Sequence, residues 1–170
     1  SLQLCTHAIG DSANRAVLQA YGEVLKGPND RRWRIEHAQV VHRDDIPLFG
    51  RYAIIPSVQP VHATSDMYWA ETRLGRERME GAYAYRTLLA QNGWMPLGTD
   101  FPVEDINPLR TFYAAVMRRD LSGYPEQGFQ AGEAIDRRAA LLGMTVWAAR
   151  AAFEEKEKGS LEPGKAADWV

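Results

Sequence analysis

The sequence holds a single cysteine, Cys5. No intrachain disulfide can form, so the core must hold the fold, and a reducing compartment such as the cytoplasm is expected. No apolar run approaches the ~18 residues of a membrane span. Residues 1–10 have no basic stretch followed by an apolar one, so nothing reads as a secretory leader. Positive charge is not in excess: 20 Lys and Arg face 22 Asp and Glu, for a net charge of -2. That balance leaves no basic footprint for nucleic acid or for an anionic membrane surface. No glycine-rich loop follows the first strand-like run, which argues against a phosphate-binding α/β domain. Internal repeats and low-complexity segments are also missing.

What is present is the composition of a soluble globular chain, 45% hydrophobic and 25% charged over 170 residues, enough for one domain. It opens in Leu2-Gln3-Leu4-Cys5 and closes in Ala166-Ala167-Asp168-Trp169-Val170, both strand-like. Natural domains usually run out in polar surface, so a piece of a longer protein is expected.

Short apolar runs alternate with helical patterns. Strands are expected at Leu2 to His7, Trp33 to Ala38, Ala53 to Val58 and Met95 to Gly98. Helices are expected at Ala16 to Lys26, His42 to Tyr52, Gly81 to Asn92, Pro108 to Arg119, Ile135 to Leu142 and Thr145 to Glu157. A short helix around Met67 to Thr72 interrupts a long connection. Asn107 reads as the cap of the helix beginning at Pro108. The order implies parallel strands joined by right-handed crossovers. Four such units make either a small open α/β sheet or half of an eight-unit barrel.

The chemistry gathers at the strand ends. The first run ends in Thr6-His7, the second in Glu36-His37 and the fourth in Thr99-Asp100. The third ends in Ser57-Val58-Gln59-Pro60, with His62 close behind. Carboxyl ends of parallel strands converge on one face, where α/β proteins build their sites. His7 and His37 stand roughly 30 residues apart, about the length of one βαβ unit. Two imidazoles and a carboxylate suit a divalent transition metal, with zinc the natural candidate. Asp100 could also shuttle a proton to or from an activated water. His62 is a substrate contact or a turn cap. Asp11 is a substrate contact or, like Asn14, a helix cap. His42 reads as an exposed or capping residue, and Cys5 as buried and inert. Tyr68, Trp69, Tyr83 and Tyr85 are expected to pack in core and loops.

Five segments, read together, resemble one known family: HAIGDSAN (from His7), RIEHAQ (from Arg34), SVQPVHATSDM (from Ser57), LGTDFPVEDINPL (from Leu97) and GSLEPGKAADWV (from Gly159). In order and spacing they are similar to the amidohydrolase superfamily, above all to the branch called amidohydrolase family 3, or YtcJ-like metal-dependent hydrolases. The resemblance implies a distorted (β/α)₈ TIM-type barrel of which residues 1–158 are the carboxyl-terminal half, strands five to eight. Residues 159–170 would return towards a small β-sandwich. It implies one or two divalent metals, with His7 and His37 as ligands, Asp100 as ligand and proton carrier, and His62 near a small-molecule substrate. The activity implied is hydrolysis of C–N bonds in amides, formamides or cyclic amides. No His-x-His pair occurs in the 170 residues, and the one His-x-Asp, His42-Arg43-Asp44, opens an expected helix and not a strand, although complete members carry such a pair on their first barrel strand. The segment alone is therefore expected to be inactive, and to pair with the missing first half or with copies of itself. A non-catalytic remnant serving as an assembly or regulatory module is the alternative.

Overall fold

The computed structural model describes residues 2–167. Three short strands, β1 (Cys5–Ala8), β2 (Arg34–His37) and β3 (Ile55–Ser57), form one parallel sheet in that order. Cys5 lies opposite Arg34 and His7 opposite Glu36, while Glu36 lies opposite Ser57 on the other side. The crossovers run through α1 (Asp11–Leu25) and α2 (Pro47–Arg51). The expected fourth strand shrinks to one parallel bridge between Val58 and Leu97. Pro96 has no N–H to extend a ladder, and the Leu97 N–H is spent on the Gly143 carbonyl at 2.9 Å.

Other boundaries move for local reasons. α1 starts earlier than expected because Gly10 takes the cap position and Asp11 enters the first turn. α2 starts later, since Pro47 occupies the first turn, where its missing N–H costs nothing. The long connection folds as two helices, α3 (Val61–Asp66) and α4 (Ala70–Met79), the latter broken at Gly75 with φ 74°. The next helix, α5 (Tyr85–Asn92), leaves residues 81–84 in a bridge to Val40. A Cβ at Gly81 would stand 1.8 Å from the Val41 carbonyl oxygen, so only glycine lets these backbones meet. α6 (Pro108–Met117) is capped by Asn107, whose side chain accepts the Leu109 N–H at 3.0 Å. α7 (Arg137–Met144) and α8 (Val146–Ala151) follow, α8 ending well short of Glu157. Residues 159–167 contain turns and no strand, and Asp168, Trp169 and Val170 of the expected return strand lie outside the described residues.

One sheet face is covered by helices. Thr6 shares a hydrogen bond with the Tyr21 hydroxyl of α1, and Ile35 is fully buried. The other face carries an Arg34–Glu36 ion pair and the exposed Cys5 and His7. Cys5 is therefore not the buried residue expected. Strand alternation puts it on the side that the helices leave open.

The amino ends of the strands are tied together by residues 150–155. Gln3 donates to the carbonyls of Arg32 (2.7 Å) and Ala151 (2.6 Å). Arg34 reaches the same Ala151 carbonyl at 3.2 Å. Arg32 makes a two-pronged bond to Glu155 at 2.8 and 2.9 Å and lies over the Phe153 ring. Arg150 covers Trp94, just before the fourth strand position.

Candidate metal centre

At the carboxyl ends, the backbone itself is unusual. His37 has φ 75° and Asp100 has φ 61°, both left-handed. Such residues cost on the order of 1–3 kcal/mol each and persist only where their surroundings hold them. Pleat alternation would send the His37 side chain towards Ile35 and the helices. The left-handed turn ends that alternation, and the His37 ring lies with its centroid 4.6 Å from that of His7 and 5.7 Å from that of His62.

His37, His62 and Asp100 each offer a ligating atom, and those atoms lie within 4.8 Å of one another. Atoms bound to one zinc at ~2 Å sit at most ~4 Å apart, so a contraction of under ~1 Å would close the set. His62 Nε2 is already 3.2 Å from an Asp100 oxygen. Among the described residues, His37 Nδ1 is buried with no hydrogen-bond partner. A buried nitrogen without a partner is costly unless something else binds it. Burial lowers the His37 pKa, against opposing pulls from Asp100 and the Gln59 side chain, with further lowering from His7 and His62. The ring is thereby kept neutral, the form that offers a lone pair to a metal. The donor set thus fits a divalent transition ion.

The structure gathers His37 and Asp100 as the strand ends suggested, and adds His62 from the start of α3. His7 stands beside His37, exposed, and is not one of the three atoms that meet. Asp11 lies elsewhere, in a groove of about 470 Å³ with His42, Arg43 and Glu80. Its carboxylate accepts the Ser12 N–H. His42 accepts the Asp44 N–H, a capping role as expected. Asn14 is not a cap. It is fully buried, and its amide nitrogen lies 3.0–3.2 Å from the carbonyls of Ala8, Ile9, Gly10 and Val40, joining the end of β1 to the segment beyond β2.

Two features have no counterpart in the sequence reading. Glu104 stands 3.1 Å from His62 Nδ1 and also accepts the Ser65 hydroxyl at 2.6 Å. It lies four residues after Asp100, past a turn in which the Val103 N–H bonds the Asp100 carbonyl at 2.8 Å, and no sequence pattern marks it. Asp66 accepts from both Gln39 and Tyr83 at 2.8 Å, and burial raises its pKa.

A family model described as "Amidohydrolase family" matches residues 1–170. The chain is 42% identical over 172 residues to Protein LONG AFTER FAR-RED 3 of Arabidopsis thaliana, covering 99% of this chain and 29% of that protein. It is 32% identical to YtcJ of Bacillus subtilis strain 168, provisionally named an amidohydrolase, covering 99% of this chain and 32% of that one. It is 27% identical to an N-substituted formamide deformylase of Arthrobacter pascens, covering 99% of this chain and 31% of that enzyme. Among solved structures, uncharacterised metal-dependent hydrolases from Pyrococcus furiosus and Pyrococcus horikoshii OT3 superpose with TM-scores of 0.79 and 0.83. Their identities are 33% and 31%, each covering 98% of this chain and 32% of the other. The chain thus spans about a third of the length of the relatives it matches.

Proposed function

The chain belongs to the amidohydrolase family, and on that premise we propose that it is the carboxyl-terminal half of the catalytic barrel of a metal-dependent hydrolase acting on C–N bonds. The observation that carries the reading is the meeting of His37, His62 and Asp100 around a buried, partnerless imidazole nitrogen at the strands' carboxyl ends. Both Pyrococcus structures are of metal-dependent hydrolases, and the Arthrobacter relative is an N-substituted formamide deformylase, which supports a C–N bond as the target.

His37 and Asp100 would hold a divalent ion, zinc by the chemistry of the donors, with His7 completing the histidine side from β1. Such an ion makes a bound water acidic and polarises the carbonyl to be attacked. Asp100 takes the water's proton, and His62 Nε2, 3.2 Å away, steadies the carboxylate and faces the substrate side. Asp11, in its separate groove, contacts an outer part of the substrate. Among the described residues, β1 has a strand neighbour on one side only. Its other edge and the face bearing Cys5 and His7 would meet the remaining half of the barrel, or a second copy in its absence. Alone, the segment binds metal and does not turn over substrate. Its place of work is the cytoplasm.

The test is the metal content of the purified 170-residue chain by plasma mass spectrometry, beside His37→Ala and His7→Ala. Near-stoichiometric metal is expected in the wild type, with loss in His37→Ala. A metal-free wild type would overturn the claim that these residues hold an ion by themselves.

A further inference from the structure

Residues 101–106 form a loop whose apolar side chains stand in water. Phe101 is 60% exposed, Val103 73% and Ile106 64%. Glu104 is the one residue of that run turned inward, its side chain 17% exposed. A charged group buried while its apolar neighbours stand in water is the reverse of what burial alone would produce. Something specific must hold it there.

What it meets is the far side of His62. That ring is 8% exposed, and both its nitrogens face carboxylates: Nε2 to Asp100 at 3.2 Å and Nδ1 to Glu104 at 3.1 Å. An ionised carboxylate only accepts and a neutral imidazole carries one N–H, so only one of these two nitrogens donates to its carboxylate. Ser65, one helical turn beyond His62 on α3, donates its hydroxyl to the same Glu104 oxygen at 2.6 Å. Ser65 thus holds Glu104 in place beside the ring. We propose that Glu104 is a positioning residue of this site: it takes the Nδ1–H of His62, sets the ring's orientation, and so turns Nε2 towards Asp100 and whatever is bound there. The inference rests on the metal reading above only for its effect on metal affinity; the hydrogen bond stands without it. Partners that orient a site histidine in this way typically contribute about 10–100-fold in metal affinity.

The 170-residue chain is labelled with ¹⁵N-histidine, and the His62 Nδ1–H is followed by NMR in wild type, Glu104→Ala and Glu104→Gln. Zn²⁺ alone is titrated into each by calorimetry. The expected result is a hydrogen-bonded Nδ1–H signal in wild type, lost in Glu104→Ala and kept in Glu104→Gln, whose amide oxygen can still accept. Zn²⁺ affinity should fall about ten-fold or more in Glu104→Ala and less in Glu104→Gln. A role confined to bracing the loop would lower stability in Glu104→Ala while leaving the His62 signal and the affinity in place, and that result overturns the proposal. If the alanine variant does not fold, the pair of wild type and Glu104→Gln decides. An absent Nδ1–H in wild type, or its loss in Glu104→Gln, overturns the proposal; its presence in both supports it. If wild type binds no Zn²⁺, the metal reading falls, and the His62 signal across the variants still decides the role of Glu104.

Discussion

The two ends of the sheet are built on opposite principles. At the amino ends, polar groups are matched: Gln3, Arg32 and Arg34 find carbonyls or a carboxylate on residues 150–155. Left-handed residues occur at both ends, Arg32 and Phe153 at one and His37 and Asp100 at the other, but at the carboxyl ends His37 Nδ1 and Gln59 Oε1 are buried and make no hydrogen bond among the described residues. Satisfied hydrogen bonds hold a fold together, whereas unsatisfied ones are tolerated where something else is to be bound. The difference assigns stability to one end and chemistry to the other.

The sharpest way to break that division is at the amino end. Arg32→Ala removes a bidentate charged pair and one of the donors to the Arg150 carbonyl, so a loss of about 2–3 kcal/mol is expected. Urea unfolding measures it. Zn²⁺ binding per folded molecule should be unchanged, and a parallel loss of metal affinity would show that the two ends are not independent. The mirror-image test is Asp100→Asn. Asparagine tolerates the left-handed backbone at least as well as aspartate. Stability should therefore stay within about 0.5 kcal/mol while Zn²⁺ affinity falls. A variant that unfolds would make Asp100 a structural residue.

The smallest effect expected is a pH dependence. Burial raises the Asp66 pKa, partly offset by the hydrogen bond from Tyr83. The folded chain therefore holds this proton more tightly than the unfolded chain does. The stability this contributes is fully present below the ordinary aspartate value and is lost as pH rises through the raised folded value. Asp66→Asn should flatten the curve of urea midpoint against pH across that window. An equal slope in both proteins would show that Asp66 does not carry the effect.

Much of the architecture is legible in the residues. The Asn107-Pro108 helix start works because a side-chain acceptor and a missing N–H both act within one turn. The parallel strands follow from short apolar runs alternating with helical ones. The fourth strand misled because its ladder depends on partners: Pro96 cannot donate, and Leu97 bonds to Gly143 instead. Asn14 misled for a similar reason. Its position suggests a cap, but its amide lies among carbonyls from two segments, one of them 26 residues away. Glu104 was hidden inside a loop whose neighbours point to solvent.

By itself, then, the sequence determined the order of elements, their parallel sense and which residues stand at the strand ends, because these follow from local periodicity and from groups a few residues apart. The tertiary structure alone decided that His37 turns away from its pleat towards His7 and His62. It alone placed Glu104 behind His62 and left Cys5 on the open face. Those outcomes depend on backbone dihedrals and contacts between distant segments, and no local pattern of residue types encodes them.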